Sequence, residues 1–202
     1  MTITSNRITV VTPANHVPGP RQGYWTYDHY AAMQDDGQRY EIVDGVLYMT
    51  PSPSGSHQAT VGEFFAYLRI YVQLAGLGRV FMAPFDVELA TDVVVQPDVF
   101  VLLNAGLEKY TEKRIIGAPD LVVEVASPST TTYDRHNKYV AYTQARVPEY
   151  WIADPIAHTV EVLILEAGTY HSLGVFSGQA TLPSKIVPDI AAVPIEQFFA
   201  AI

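Results

Sequence analysis

Two acidic residues interrupt stretches of apolar sequence that are typical of buried β-strands. Glu124 lies in LVVEVAS, residues 121–127, where a leucine and three valines surround it. Asp98 lies in VVVQPDVFVLL, residues 93–103, two positions after Gln96. Such apolar runs predict strands buried on both faces, where a carboxylate must recover its lost solvation from a partner. Two acids of this kind predict a site for a divalent cation with oxygen ligands, Mg²⁺ or Mn²⁺.

The positions of the two acids along the chain are consistent with one shared site. The two strands that carry them follow one another in the predicted order, so they are candidates to pair side by side. Paired in that way, both carboxylates lie at one end of the sheet and require a counter-charge. Structural explanations stay open at this point: Asp98 as a turn or cap residue after Pro97, and Glu124 as the partner of a buried arginine such as Arg114 or Arg135.

Three further polar residues have ordinary explanations when spacing alone is considered. Lys138 lies four residues after Asp134, which is the spacing of a surface ion pair on a helix. Glu41 precedes apolar Ile42 and suits a solvent-facing strand position, and His57 suits the first turn of a helix. The chain has no GxSxG, P-loop, GxGxxG or HExxH motif, so hydrolase triads, nucleotide folds and zincins lack support.

The composition predicts a globular domain with an acidic balance of charge. Of the 202 residues, 49 % are hydrophobic and 16 % are charged, and the formal net charge is −9. No basic run is present, which argues against tight non-specific DNA binding; a bound cation nevertheless reverses the local sign at an acidic site. The absence of cysteine excludes disulfides, thiolate ligands and a cysteine nucleophile. No secretory signal is evident, so a cytoplasmic location is expected.

The elements that must position these residues follow from periodicity and turn signals. Residues 1–23 predict a flexible N-terminal leader and residues 24–202 a single domain. Helices are predicted at 25–34 with Thr26 as its cap, at 57–75 after Ser56, at 132–145 with caps among residues 129–132, and near 195–199. Strands are predicted at 79–88, 93–103, 121–126, 150–153, 160–165 and 170–176, with a hairpin at 40–49 that turns at Asp44-Gly45. This order predicts an α/β (α+β) domain with a mixed central β-sheet flanked by helices.

Six ordered stretches resemble the successive motifs of one protein family. They are YEIVDGVL (40–47), MTPSPSGSHQ (49–58), APFDVEL (83–89), VVQPDVFV (94–101), APDLVVEVASPSTTTYDRHNKYVAY (118–142) and VPEYWIADP (147–155). From about Trp25 to Leu165, the chain thereby resembles the Uma family of putative restriction endonucleases, in the PD-(D/E)XK nuclease superfamily. The resemblance implies a restriction-endonuclease-like core and a homodimeric assembly.

The resemblance also implies roles for individual residues. Asp98 and Glu124 correspond to the acids of the second and third core strands. The superfamily pattern places a lysine two residues after the glutamate, where this chain has Ala126; the family lysine lies in the following helix and corresponds to Lys138. Asp98, Glu124 and Lys138 are therefore the expected catalytic residues. Asp98, Glu124 and Glu41 are the expected ligands of Mg²⁺ or Mn²⁺.

Two accessory polar residues complete the expected site. His57 matches a family position near the pocket. Gln96 lies two residues before Asp98, so on a regular strand it shares that face and lines the site.

The residues and the resemblance together predict a metal-dependent nuclease that hydrolyses phosphodiester bonds of nucleic acid, with DNA as the expected substrate. A catalytically silent nucleic-acid- or protein-binding module on the same fold is the first alternative, and the acidic net charge favours it. The others are a structural protein whose acids pair with arginines and a phosphodiesterase that acts on small molecules.

Overall fold

The computed structural model describes residues 11–127 and 134–199, in which helices pack on β-strands. The strands are β1 Thr12–Pro13, β2 Arg39–Val43, β3 Val46–Thr50, β4 Gly78–Met82, β5 Asp86–Ala90, β6 Val93–Val95, β7 Val99–Leu103, β8 Arg114–Ile116, β9 Leu121–Val125, β10 Glu149–Asp154, β11 Thr159–Glu166 and β12 Thr169–Ser177. The α-helices are α1 Tyr27–Ala31, α2 Gly55–Leu68 and α3 Tyr139–Ala145. A π-helical segment, Arg69–Leu74, continues α2, and another, Asp134–Lys138, leads into α3. Short 3₁₀ helices cover Asn104–Lys109, Pro188–Ala192 and Ile195–Phe198.

The strands divide between two six-stranded mixed sheets. The first sheet has the order β1-β3-β2-β6-β5-β8 and the second has the order β12-β11-β10-β9-β7-β4. In each sheet one neighbouring pair is parallel, β5 with β8 and β9 with β10, and the other pairs are antiparallel. The predicted mixture of helices with mixed β-structure is confirmed, and two sheets stand where the sequence predicts one.

Two predicted strands are each divided by a proline, and there the chain passes from one sheet to the other. The predicted strand 79–88 forms β4 and β5 on either side of Pro84, and the predicted strand 93–103 forms β6 and β7 on either side of Pro97. Proline has no N–H for a β-ladder and restricts the residue before it, so both ladders end there. The two crossings lie side by side, since the Ala83 N–H donates to the Asp98 carbonyl at 3.1 Å.

Turn and cap residues set the local boundaries largely as predicted. Asp44 and Gly45 have φ of 51° and 69°, the left-handed pair required by a two-residue hairpin between β2 and β3. Helix α1 follows Thr26, whose Oγ1 lies 2.8 Å from His29 Nδ1. Ser54, rather than Ser56, caps α2, because its backbone is extended and its hydroxyl accepts from the N–H three residues later. The caps predicted among residues 129–132 lie outside the described residues.

Apolar side chains fill the space on both faces of the second sheet. On one face, Phe64 of α2 packs against Trp151 and stacks on Phe198, with ring centroids 4.5 Å apart. On the other face, Tyr142 of α3 and Tyr150 pack in a cluster that also includes side chains of the first sheet. Strands β7, β9 and β10 are buried nearly throughout, which explains the near-continuous apolar sequences of β7 and β9.

Part of the predicted leader packs on the domain. Thr12 and Pro13 pair with Met49 and Tyr48 of β3, and Ala14 is buried with its N–H bonded to a carbonyl of the hairpin. Residues 11–23 therefore contact the first sheet, whereas residues 1–10 lie outside the described residues.

Within the part of the chain that the structure describes, no helix combines the length and apolar character that a membrane span requires.

Candidate active site

Strands β7 and β9 bring Asp98 and Glu124 together. The two strands are antiparallel with Val99 opposite Val123, so Asp98, immediately before β7, lies beside Glu124. Both acids are buried, at 8 % and 2 % relative exposure. The N–H of Val125 donates to Asp98 Oδ2 at 2.8 Å. The expected juxtaposition of the two carboxylates is therefore present.

Glu41 reaches the same place from the first sheet. Its strand, β2, pairs with β6 through Ile42 and Val94, directly before the crossing that carries Asp98. Glu41 is only 1 % exposed, which contradicts the solvent-facing alternative. Its Oε1 accepts from the Gln96 N–H at 2.7 Å, whereas its Oε2 is buried with no hydrogen-bond partner among the described residues.

Lys138 lies between the two glutamates. Its Nζ is 2.9 Å from Oε1 of Glu124 and 2.9 Å from Oε1 of Glu41. The side chain is buried at 5 % exposure, so Lys138 does not have the surface position that its spacing from Asp134 suggests. The side chain of Asp134 lies outside the described residues. The lysine is 14 residues after Glu124 in sequence, and the π-helical segment Asp134–Lys138 carries its ammonium group back onto that acid.

Tyr142 is a site residue that the sequence analysis misses. Its hydroxyl donates to Glu124 Oε1 at 2.5 Å, on the oxygen that Lys138 also contacts. Burial and the charge of Glu124 raise the pKa of Tyr142 well above its ordinary value, so the hydroxyl remains a donor. The i,i+4 spacing from Lys138 is the signal that could have found it, because residues so spaced share one helix face.

His57 extends the site on the side of Asp98. Residue 57 is in the first turn of α2, and its Nε2 lies 3.2 Å from Asp98 Oδ2. Its Nδ1 is buried without a hydrogen-bond partner among the described residues. Burial raises the pKa of Asp98, but the hydrogen bond from His57, the nearby positive charges and the Val125 N–H outweigh burial, so the pKa of Asp98 lies below its usual value.

The side chain of Gln96 belongs to a neighbouring polar network. Its Nε2 donates to Asp86 Oδ1 at 2.8 Å and to the Tyr30 hydroxyl at 3.2 Å, and its Oε1 accepts from Arg39 Nε at 3.1 Å. This network borders a surface pocket of about 390 Å³. Only the backbone N–H of Gln96 contacts an acid of the candidate site, Glu41. The expectation that the Gln96 side chain lines the site assumes a regular strand from residue 96 to residue 98. Pro97 interrupts that strand.

Arg114 does not act as the counter-ion of the buried acids. Its Nε pairs with Glu88 Oε2 at 2.5 Å, and its guanidinium lies 3.7 Å from the centroid of the Tyr27 ring. The alternative in which Arg114 neutralises Glu124 is wrong, because Lys138 has that position. The side chain of Arg135 lies outside the described residues.

A fourth buried acid, Glu149, shows how a purely structural carboxylate is satisfied. Its Oε1 accepts from Trp151 Nε1 at 2.7 Å, and its Oε2 accepts from the N–H groups of Lys185 and Ile186 at 2.9 and 3.2 Å. The two backbone donors join β10 to the chain before the C-terminal 3₁₀ helices. Glu149 therefore differs from the acids around Lys138, which share one ammonium group.

The substitution Glu149→Gln is expected to destabilise the protein without affecting a metal site. The substitution replaces one carboxylate oxygen with an NH₂ group, which cannot accept a hydrogen bond from the N–H that faces it. Leaving that buried N–H unsatisfied costs about 1–3 kcal/mol. Urea denaturation measures the change in the free energy of unfolding. Unchanged stability would contradict the structural role assigned to this carboxylate.

The donor set around Lys138 suits a hard divalent cation in its chemistry. Asp98, Glu41 and Glu124 offer carboxylate oxygens, which Mg²⁺ and Mn²⁺ prefer, and Glu41 Oε2 is a buried oxygen without a hydrogen-bond partner in the described parts of the chain. Lys138 supplies one positive charge to two of these carboxyl groups, those of Glu41 and Glu124. As the side chains stand, no three His, Asp or Glu residues within 11–127 and 134–199 are arranged to hold an ion. Binding therefore requires the side chains around Lys138 to rearrange.

Comparison with known proteins identifies first the fold and then the family. A crystal structure titled as that of "a putative nuclease belonging to DUF820 from Anabaena variabilis ATCC 29413" matches with a TM-score of 0.70 and 22 % sequence identity, over 86 % of this chain and 97 % of that one. This likeness shows the fold. The chain belongs to the Uma2 family, described as "Putative restriction endonuclease", whose sequence model matches residues 26–196. The predicted family is confirmed. No curated protein matches the chain.

Proposed function

We propose that this protein is a nuclease that hydrolyses phosphodiester bonds of nucleic acid, with DNA as the first substrate to test and Mg²⁺ or Mn²⁺ as its cofactor. The observation that carries the proposal is the convergence of three buried carboxylates and one buried lysine from four separate elements. Such a site costs folding free energy, because charged groups lose their solvation on burial. Family membership supports the same conclusion.

Asp98 and Glu124, with Glu41 assisting, hold the cation in this proposal. A bound Mg²⁺ ion lowers the pKa of water and balances negative charge on a phosphate. Two observations support these assignments. Glu41 Oε2 is a buried oxygen without a hydrogen-bond partner among the described residues, and the lowered pKa of Asp98 favours its carboxylate form. The cation also explains how a chain with a net charge of −9 can accept a polyanion at this position.

In the same proposal, Lys138 and His57 act on the substrate and the attacking water. Lys138 leaves its two glutamates, orients the attacking water and stabilises the charge that develops on the phosphate. His57 Nδ1 has no hydrogen-bond partner within residues 11–127 and 134–199, and it contacts a phosphate oxygen in this proposal while Nε2 stays on Asp98. His57 lies in the first turn of α2 and Lys138 ends the π-helical segment before α3, so helical segments rather than long loops set their positions.

Glu124→Gln is the variant that tests the proposal, with Glu149→Gln as the matched control. The parent is expected to cleave DNA with Mg²⁺ or Mn²⁺ and to stop when EDTA is added. Glu124→Gln is expected to lower the rate by about 10²–10³-fold, the usual effect of removing one electrostatic contribution to a transition state. Glu149→Gln makes the same chemical change at a structural acid and is expected to retain cleavage below its melting temperature.

The assay uses single- and double-stranded DNA and RNA, with cleavage followed on gels. Cleavage that persists in EDTA, or equal cleavage by the parent and Glu124→Gln, would contradict the proposal. Metal binding without turnover of any substrate would instead support a catalytically silent binding module. The acidic net charge and the absence of a basic run in the sequence favour that second function.

The proposal also covers the oligomeric state and the cellular location of the protein. We infer from the family resemblance that the protein is a homodimer, and we keep the cytoplasm as its expected location. Analytical ultracentrifugation at several protein concentrations tests the first inference. A monomer at all concentrations would contradict it.

A further inference from the structure

Two side chains of one helical stretch donate to the same oxygen of Glu124. The Lys138 ammonium is 2.9 Å from Glu124 Oε1, and the Tyr142 hydroxyl is 2.5 Å from it. Lys138 ends the π-helical segment and Tyr142 lies in the first turn of α3, so both side chains face β9. A carboxylate oxygen that accepts two donors is held in one orientation more firmly than by either donor alone.

The two donors differ in how freely they can leave Glu124. Lys138 has a flexible stem and also contacts Glu41, so it can exchange one acceptor for another. Tyr142 has a rigid ring that is fully buried, with its centroid 5.0 Å from that of Tyr150. Its hydroxyl can leave the carboxylate only if the packed ring also moves.

We infer that Tyr142 is a positioning residue that holds the Glu124 carboxylate in place for a cation when Lys138 moves to the substrate. This inference rests on the proposed function, in which Lys138 must leave the two glutamates to act. Because the tyrosine hydroxyl is neutral, it holds the carboxylate without competing with a cation for its negative charge. A second lysine in that position would hold the oxygen equally well but would repel the cation.

Tyr142→Phe tests the inference, because it removes the hydroxyl and keeps the ring. Tyr170→Phe is the matched control: Tyr170 lies in the same aromatic cluster, its ring is 5.9 Å from that of Tyr150, and its hydroxyl donates to the Val147 carbonyl at 2.8 Å. Each substitution therefore removes one buried hydroxyl bond. Only Tyr142→Phe removes a bond to a proposed cation ligand.

The first measurement is a series of thermal melts of the full chain at increasing concentrations of Mn²⁺ and of Mg²⁺. Tyr142→Phe is expected to weaken the apparent affinity for the ion by about 10- to 100-fold, as for other residues that orient metal ligands. Tyr170→Phe is expected to keep the affinity of the parent. In cleavage assays, Tyr142→Phe is expected to lower kcat with little change in KM. Equal ion affinity in the two variants would overturn the inference.

The second measurement does not depend on metal or activity. In urea denaturation without metal, Tyr142→Phe and Glu124→Gln are expected to be non-additive, with a coupling of about tenfold in the folding equilibrium. Additive effects would overturn the inference even if both variants fold. A parent that shows no response to either ion would overturn the proposed metal chemistry, and the urea cycle then decides whether the hydroxyl holds Glu124.

Discussion

Replacing Lys138 with methionine is expected to lower the free energy of unfolding by about 3–5 kcal/mol, the usual cost of removing one partner of a buried ion pair. Methionine keeps an unbranched apolar stem of similar length, so most of the packing is retained. The loss arises because Glu41 and Glu124, at 1 % and 2 % exposure, lose the ammonium group that they share. Urea denaturation at neutral pH measures it.

Lys185→Met is the matched control for this substitution. Lys185 pairs with Glu166 at 2.8 Å, but both side chains are more than half exposed, so solvent screens the pair and little change is expected. Adding Mg²⁺ is expected to restore part of the lost stability in Lys138→Met, since a ligand of the folded state stabilises it by mass action. A Lys138→Met protein as stable as the parent would contradict the buried ion pair.

Leu68→Ala is expected to lower the free energy of unfolding by about 2–5 kcal/mol, because it leaves a cavity between α2 and the second sheet. Leu68 has no exposed surface and belongs to the core that also contains Phe64 and Trp151. Since α2 carries His57 in its first turn, loss of this packing also loosens the helix that positions the histidine. Urea denaturation measures the stability, with an unchanged slope against denaturant as evidence of an intact fold.

Leu74→Ala removes the same atoms from the π-helical continuation of α2. Leu74 is 65 % exposed, so the change is expected to stay within about 0.5 kcal/mol. Similar losses for the two variants would show that the helix packs on the sheet through a different face.

Local chemistry was enough to predict most of the elements. Apolar runs predicted the central strands β7 and β9 of the second sheet, because both faces of these strands are buried and nearly every position must be apolar. Asp44 and Gly45 specified the hairpin through their left-handed backbone, which few residues adopt without strain. The same reasoning identified Asp98 and Glu124, because a carboxylate within an apolar stretch loses solvation on burial and therefore requires an explanation.

Short pairings with distant partners escaped prediction. Strand β8 is only three residues long, and β1 only two, so neither has a periodicity of its own. The division of 93–103 into strands of different sheets was missed, because the apolar residues on both sides of Pro97 are equally suited to one sheet or two. Pro97 also ends the regular strand alternation between residues 96 and 98, so the expectation that the Gln96 side chain shares a face with Asp98 fails.

The sequence by itself determined the family, the hairpin, the buried strands and the two central acids, because each depends on residues close together in the chain. The family resemblance assigned Lys138 to the site, but only the tertiary structure decided which carboxyl groups its ammonium group contacts. Spacing assigned Lys138 to the helix surface, whereas packing buries it between Glu41 and Glu124, residues 97 and 14 positions away. It also decided that Tyr142 shares the oxygen of Glu124. Such contacts join separate elements of the fold. Their free energies depend on how deeply tertiary packing buries the groups, which the local sequence pattern does not indicate.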